Sequence, residues 1–238
     1  MESLTATALS YHRTIVALDI EGSTSRSDTV KAELRSKIYE FFDTALRSAG
    51  IQSRHRDRFV DRGDGILALL HPVHQAPKAL VLAQVIPALS RLLTDYNASL
   101  PRGRQPQYQL RVRVVIHAGE IHYDPNGCFG EALDVAFRLL DAAQVKKALR
   151  AANDPLILVA SEDFYRSVIR HGYDGIDQSA FHPLVRLQVA NHRHHGWVQI
   201  YGKAARDNAA EEPGYRQPSR TSPETALQLL RRNSWSLS

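Results

Sequence analysis

The apolar positions of the chain change period several times, and each change marks an element. Residues 14–20, TIVALDI, are nearly continuous in apolar side chains, which predicts a central strand buried on both faces. Val30, Leu34, Ile38, Phe41, Phe42, Ala45 and Leu46 fall at helical spacing over 30–50, behind helix-start residues at 25–29 and ahead of Gly50 as a C-terminal cap. Residues 54–61 and 66–70 flank RGDG, a glycine-bearing tight turn, and predict a β-hairpin closed by His71-Pro72. A second long helix is predicted over 76–100, with Pro87 as its kink or break. A loop at 101–107 leads to an alternating strand, 108–121, that turns near Gly119, and 123–128 reads as a further loop. A third helix is predicted over 129–151, with Leu133, Ala136, Phe137, Leu140 and Val145 on its apolar side. A short buried strand follows at 155–160, then a short helix capped by Ser161 with Glu162 and Asp163 at its positive end. Residues 181–190 and 196–202 read as closing strands around NHRHHG. The order β-α-β-β-α-β-(β)-α-β-α-β-β predicts an α+β sandwich on a split βαβ, ferredoxin-like plan, with helices on a mainly antiparallel sheet.

Composition narrows this picture. The 238 residues, 43% hydrophobic, suit one globular domain with a tail. The expected division is a lead-in at 1–11, a domain at 12–202, and a polar linker at 203–238 in which 222–235 can form one capped amphipathic helix. The net charge of +5 suits an anionic ligand such as a nucleotide, or nucleic acid, or neither. The single cysteine, Cys128, excludes a disulfide framework within one chain. No basic start with a long apolar core marks a signal peptide, and the apolar run 79–89 is too short and interrupted to span a bilayer. A cytoplasmic protein without membrane partners is expected.

The candidate chemistry lies in three stretches. Asp19 ends the first strand in DIEGST (19–24), and Asp64 sits in the RGDG turn. In a split βαββ unit those strand ends are neighbours, so the two carboxylates converge and repel unless a cation lies between them. Oxygen ligation from two Asp residues, with the Ile20 carbonyl as a further ligand, is what Mg²⁺ or Mn²⁺ uses when phosphates complete the shell. Gly22, Ser23 and Thr24 let backbone N–H groups approach an anion. The third stretch is GEALDVAFRLLD (130–141), where Asp134 and Arg138 share a helix face. Taken alone they read as a helical salt bridge. The apolar positions around Ala136 and Leu139 set Arg138 near the sheet, where a guanidinium can neutralise phosphate charge in a transition state.

The set DIEGST, RGDG, VVIHAGEI (114–121) and GEALDVAFRLL, in this order, resembles the catalytic domain of class III nucleotidyl cyclases over roughly 12–202. The resemblance implies a homodimer with active sites between protomers and two divalent cations, Mg²⁺ or Mn²⁺, per site. The metal aspartates map onto Asp19 and Asp64 of one protomer. The transition-state pair, Asn and Arg in the family, maps onto Asp134 and Arg138 of the other. The implied reaction is attack of a ribose 3′-hydroxyl on the α-phosphate of an NTP, releasing pyrophosphate.

Three departures from the family's pattern bear on function. Asp134 stands where an Asn amide would donate to the ribose, which an ionised Asp cannot do. The two purine-reading positions fall on Val60 and Gly127, neither of which can hydrogen-bond a base edge through its side chain. Arg58 and Arg62 share strand parity with Val60 and can donate to a carbonyl-rich base. The late phosphate-binding Lys falls on His195, a weaker triphosphate ligand when neutral, with Arg193 as a compensating cation. Loss of both purine readers leaves two readings open: a degenerate cyclase that binds nucleotide without turnover, or a changed base. The retained metal pair and Arg138 favour the second. The chain is similar in this respect to the pyrimidine cyclases of Pycsar antiphage systems, which implies cyclic UMP, then cyclic CMP, as product, with a separate effector. A purine cyclase is the remaining alternative.

Other stretches carry weaker signals. NHRHHG places His192 and His194 on one strand face, but no cysteine or carboxylate accompanies them, so an exposed or phosphate-facing basic strand end is preferred over zinc. His71 and His74 read as surface residues, and His117 as a core hydrogen-bonding histidine. Arg111 and Arg113 alternate as on a solvated strand face, and no nucleic-acid motif accompanies them.

Overall fold

The computed structural model describes residues 9–201. The expected helix at 222–235, its linker and most of the lead-in lie outside the described residues. Strand β1 (Tyr11–Ile20) lies between β3 (Gly65–Leu70) and β4 (Val112–Asp124) and is antiparallel to both. The sheet order is β2-β3-β1-β4-β6-β8-β7, with β2 at Val60–Asp61, β6 at Leu156–Ser161, β7 at His182–Val189 and β8 at His192–Tyr201. A short β5 (Gly127–Phe129) folds back on β4. Among the described residues only β4 and β6 pair in parallel, because the segment between them crosses over as helices.

The continuous apolar run in β1 has a simple cause. Both sheet faces are covered. Val16, Leu18 and Ile20 pack with α1 (Asp28–Ser48) and α3 (Ile86–Ser99) in one core. Ile15 and Ala17 pack in a second core with α5 (Glu131–Leu140) and α6 (Ala143–Ala151). Asp19 is next in the second series, so its side chain emerges on the α5–α6 face where that core ends.

Several elements differ from expectation. Helix 76–100 is split into α2 (Lys78–Leu80), a π turn (Val81–Val85) and α3. Pro87 near the start of α3 lacks an N–H and crowds the preceding turn, and the wider π turn relieves both. Residues expected as a loop include a short α4 (Gln105–Tyr108). Strand β4 runs straight past Gly119, whose missing side chain leaves room for α5: an added Cβ would lie 2.6 Å from that of Ala132. The expected loop 123–128 is mostly the β4–β5 hairpin. The third helix is two, broken at Asp141 and Ala142. The turn at NHRHHG shrinks to Ala190 and Asn191, both at positive φ, so its histidines belong to β8.

His117 on β4 is a core histidine as expected, 6% exposed, with Nδ1 2.7 Å from Ser161 Oγ at the start of α7 (Glu162–Ser167). Burial, opposed by Asp163 and reinforced by His194, lowers its pKa from 6.5 to about 4. The folded state therefore resists a proton that the unfolded chain accepts. Stability is full above pH 6.5 and falls as pH drops towards 4, by about 3 kcal/mol in all. Thermal melts at stepped pH should show this slope, and His117→Gln should remove it.

His71, expected at the surface, instead places Nε2 2.8 Å from Asp57 Oδ1. Burial raises the Asp57 pKa, but hydrogen bonds from Tyr123 and His71 and the charge of Arg13 outweigh it and hold the carboxyl below its usual range.

Candidate active site

The cleft forms where β1 ends. Asp19 is register-paired with Gly65 on one side and Arg113 on the other. The Ile20 N–H donates to the Asp64 carbonyl at 3.0 Å, so the RGDG turn is tied directly to the end of β1. Gly65 permits this approach, since a Cβ there would stand 2.4 Å from the Leu18 carbonyl oxygen. Gly22 takes a left-handed conformation (φ 69°) and starts a tight turn, Ser23–Ser25, before α1 begins. Asp19, Ile20, Gly22, Ser23, Thr24, Arg62 and Asp64 all line one cleft of about 960 Å³.

The same cleft contains residues that the sequence did not single out as site residues. Arg113, read as solvated, is 9% exposed and forms an ion pair with Asp19. Burial lowers its pKa, against a raising influence from Asp141 and with a further lowering one from Arg150. Arg111, also read as solvated, has its Nε 3.3 Å from Glu21 Oε2. Arg113 points inward because β4 is a central strand with no solvated face at this end, and Arg111, immediately before that strand, lines the same cleft. Asp141, Lys146 and Arg150 reach the cleft from the break and the second helix that replace one predicted helix. Six cationic side chains thus face four carboxylates.

The remaining predicted residues are elsewhere. Asp134 and Arg138 are both exposed on α5, outside the cleft, and among the described residues no ion pair joins them. Arg138 therefore does not lie against the sheet: Ala136 and Leu139 do, and the helix turns Arg138 away. Arg193 and His195 lie at the start of β8. That end of the sheet is remote from Asp19, because Gly196 pairs with Ser161 whereas Tyr201 pairs with Leu156 beside Val112. The His195 Nδ1 is 2.7 Å from Glu162 Oε2. Val60 is 37% exposed on β2, Arg58 lies before that strand and is exposed, and Gly127 occupies the hairpin turn at φ 141°. Arg62 does not extend alongside Val60; its guanidinium sits 4.2 Å from the centroid of the Phe137 ring.

The donor set fits a divalent cation. Asp19 already holds a cation in the form of the Arg113 guanidinium, and Asp64 stands on the adjoining strand end. Among the described residues no three His, Cys, Asp or Glu side chains gather as a closed metal cage. Two carboxylates and a backbone carbonyl are a set suited to Mg²⁺ or Mn²⁺ that takes its other ligands from phosphate and water.

No family model matches the chain. The serine/threonine-protein kinase pkn2 of Myxococcus xanthus is 31% identical over 123 residues, 51% of this chain, and the chain spans only 13% of that protein. Three solved structures share the fold. The catalytic core of a rhodopsin-guanylyl cyclase with converted specificity, in complex with ATPαS, has a TM-score of 0.55 at 13% identity, over 82% of this chain and 98% of that one. An adenylate/guanylate cyclase/hydrolase from Silicibacter pomeroyi has a TM-score of 0.54 at 19% identity, over 82% and 99%. The adenylyl cyclase CyaB from P. aeruginosa has a TM-score of 0.53 at 13% identity, over 82% and 96%. The fold, a mostly antiparallel sheet with flanking helices, is that of class III cyclase catalytic domains. No helix among the described residues is long and apolar enough to cross a membrane.

Proposed function

We propose that the chain is a metal-dependent nucleotidyl cyclase that converts an NTP to a 3′,5′-cyclic nucleotide and pyrophosphate, acting as a homodimer with sites between protomers. The observation that carries this reading is the meeting of Asp19 and Asp64 at adjoining strand ends in a cationic cleft, within a fold shared with cyclase domains. Asp19, the Ile20 carbonyl and Asp64 would hold two divalent cations, which lower the pKa of the ribose 3′-hydroxyl and offset triphosphate charge. Gly22, Ser23 and Thr24 bring backbone N–H groups towards the phosphates. With Asp19 engaged by a cation, Arg113, now paired with it, would be free to bind the triphosphate.

Asp134 and Arg138 are outside the cleft of their own chain, so they act from a second copy. Arg138 meets the charge that builds on the α-phosphate. The new bond joins O3′ to the α-phosphorus, and the bond to the bridging oxygen breaks. The electron pair leaves with pyrophosphate and the hydroxyl proton passes to water. Arg193 and His195 lie far from their own chain's Asp19, so any phosphate contact they make is with the site of the second copy.

The base is inferred from Val60 and Gly127, which present no side-chain donor or acceptor, and from Arg58, which is exposed and without an ion pair or hydrogen bond among the described residues. A donor beside a small apolar residue suits uracil, with its two carbonyls, over adenine. UTP is therefore the preferred substrate and CTP the second, with the product a second messenger for a separate effector, as in antiphage defence. Incubation with each of the four NTPs and Mn²⁺ or Mg²⁺, read by mass spectrometry, should give cyclic UMP as main product. Cyclic AMP or cyclic GMP as main product would overturn the pyrimidine assignment. Asp134 in place of an amide donor favours a second reading, a nucleotide-binding module without turnover, and the absence of product from all four would support it.

A further inference from the structure

Helix α6 gives the cleft a feature that none of the predicted phosphate residues accounts for. Lys146 and Arg150 are four residues apart, on one helix face, and both line the cleft. Lys147, between them, is exposed and does not. The helix is fastened in this orientation by Arg111. Its Nη2 donates to the carbonyls of Leu149 and of Ala152, the latter at 2.8 Å, so it caps the C-terminal turn of α6. Asp141 holds Lys146 from below, with Nζ 3.0 Å from Oδ1.

Two observations indicate that this face awaits an anion. The buried polar atoms without a hydrogen-bond partner include Arg26 Nη1 and Arg113 Nε, two donors on residues that line this one cleft. Buried guanidinium donors left unpaired are costly, and phosphate oxygens satisfy them with charge-assisted bonds. The residue expected to grip the phosphates, His195, is instead engaged by Glu162 at the other end of the sheet.

We infer that Lys146 and Arg150 hold the terminal phosphates of the substrate, and then the pyrophosphate, from the same protomer that supplies Asp19 and Asp64. They are binding and positioning residues, and the assignment rests on the reading of the cleft as the triphosphate site. Lys146 exchanges Asp141 for the phosphate, which gives the arrangement a sign that a merely structural pair would lack: removing the Asp141 charge should help the anion.

The test is calorimetric titration of the full chain with pyrophosphate in the presence of Mg²⁺. Lys146→Ala and Arg150→Ala should each weaken binding about tenfold, and the double variant about a hundredfold. Lys147→Ala should bind as the unaltered chain does, and Asp141→Asn should bind more tightly. Thermal melts identify any variant that has failed to fold, and Arg150→Lys, which retains the charge, should recover most of the binding lost in Arg150→Ala. Pyrophosphate binding by the double variant within twofold of the unaltered chain overturns the inference, as does the absence of binding to the unaltered chain. If binding follows the expected pattern but no NTP is cyclised, the anion site stands and the cyclase reading falls. If product forms and its inhibition by pyrophosphate is the same in the double variant, the cyclase reading stands and the α6 assignment falls.

Discussion

Asp19→Asn should leave a folded chain that makes at least about 10³-fold less cyclic nucleotide from any NTP, because losing a cation ligand removes several kcal/mol of transition-state stabilisation. The substitution keeps the shape of the side chain and an oxygen that can accept from Arg113. It removes only the charge that a divalent cation requires. The ion pair with Arg113 lies at 17% and 11% side-chain exposure, so its loss is also felt in stability. Neutralising one partner of so enclosed a pair should lower the unfolding free energy by about 1–3 kcal/mol. The two effects are measured separately, as product by mass spectrometry with Mn²⁺ and as a thermal melt. Mn²⁺ titration followed by electron paramagnetic resonance adds a readout independent of turnover. A variant within tenfold of the parent activity would remove Asp19 from the metal site.

Arg138→Ala should be as inactive alone as Asp19→Asn, yet an equal mixture of the two variants should recover activity. The reason is the exposed position of Arg138, outside the cleft that contains its own Asp19. In a two-fold dimer each site would take Asp19 from one chain and Arg138 from the other. A mixed dimer has one site with both residues and one with neither. Random re-association makes half of the dimers mixed, so about a quarter of the parent activity should return. Mixing after mild denaturation, followed by the product assay, decides the point. No recovery, with mixed dimers demonstrated by mass spectrometry, would place Arg138 outside the shared site.

The sequence made the elements legible wherever local chemistry and tertiary position agree. The run at 14–20 reads as a doubly buried strand because both of its faces do meet helices, and its terminal Asp19 does reach the RGDG turn. The helix over 129–151 misled because its period continues through Asp141 and Ala142 with no Gly or Pro to interrupt it. Only the need to bring Val145 and Leu149 onto the same core as Leu139 breaks it there. Arg111 and Arg113 misled for a related reason. Alternation along a strand indicates a polar face, but a polar face at the end of a central strand lines a cleft rather than bulk solvent.

The amino-acid order by itself determined that Asp19 and Asp64 stand close together, since a βαββ unit makes their strand ends neighbours, and that a turn of small residues lies beside them. Tertiary structure alone decided which charges surround that pair. Asp134, Arg138, Arg193 and His195 are placed away from the Asp19 of their own chain, and Arg113, Lys146 and Arg150 are brought to it. Periodicity reports which way a side chain faces relative to its own element. Only the packing of one element against another specifies what it faces.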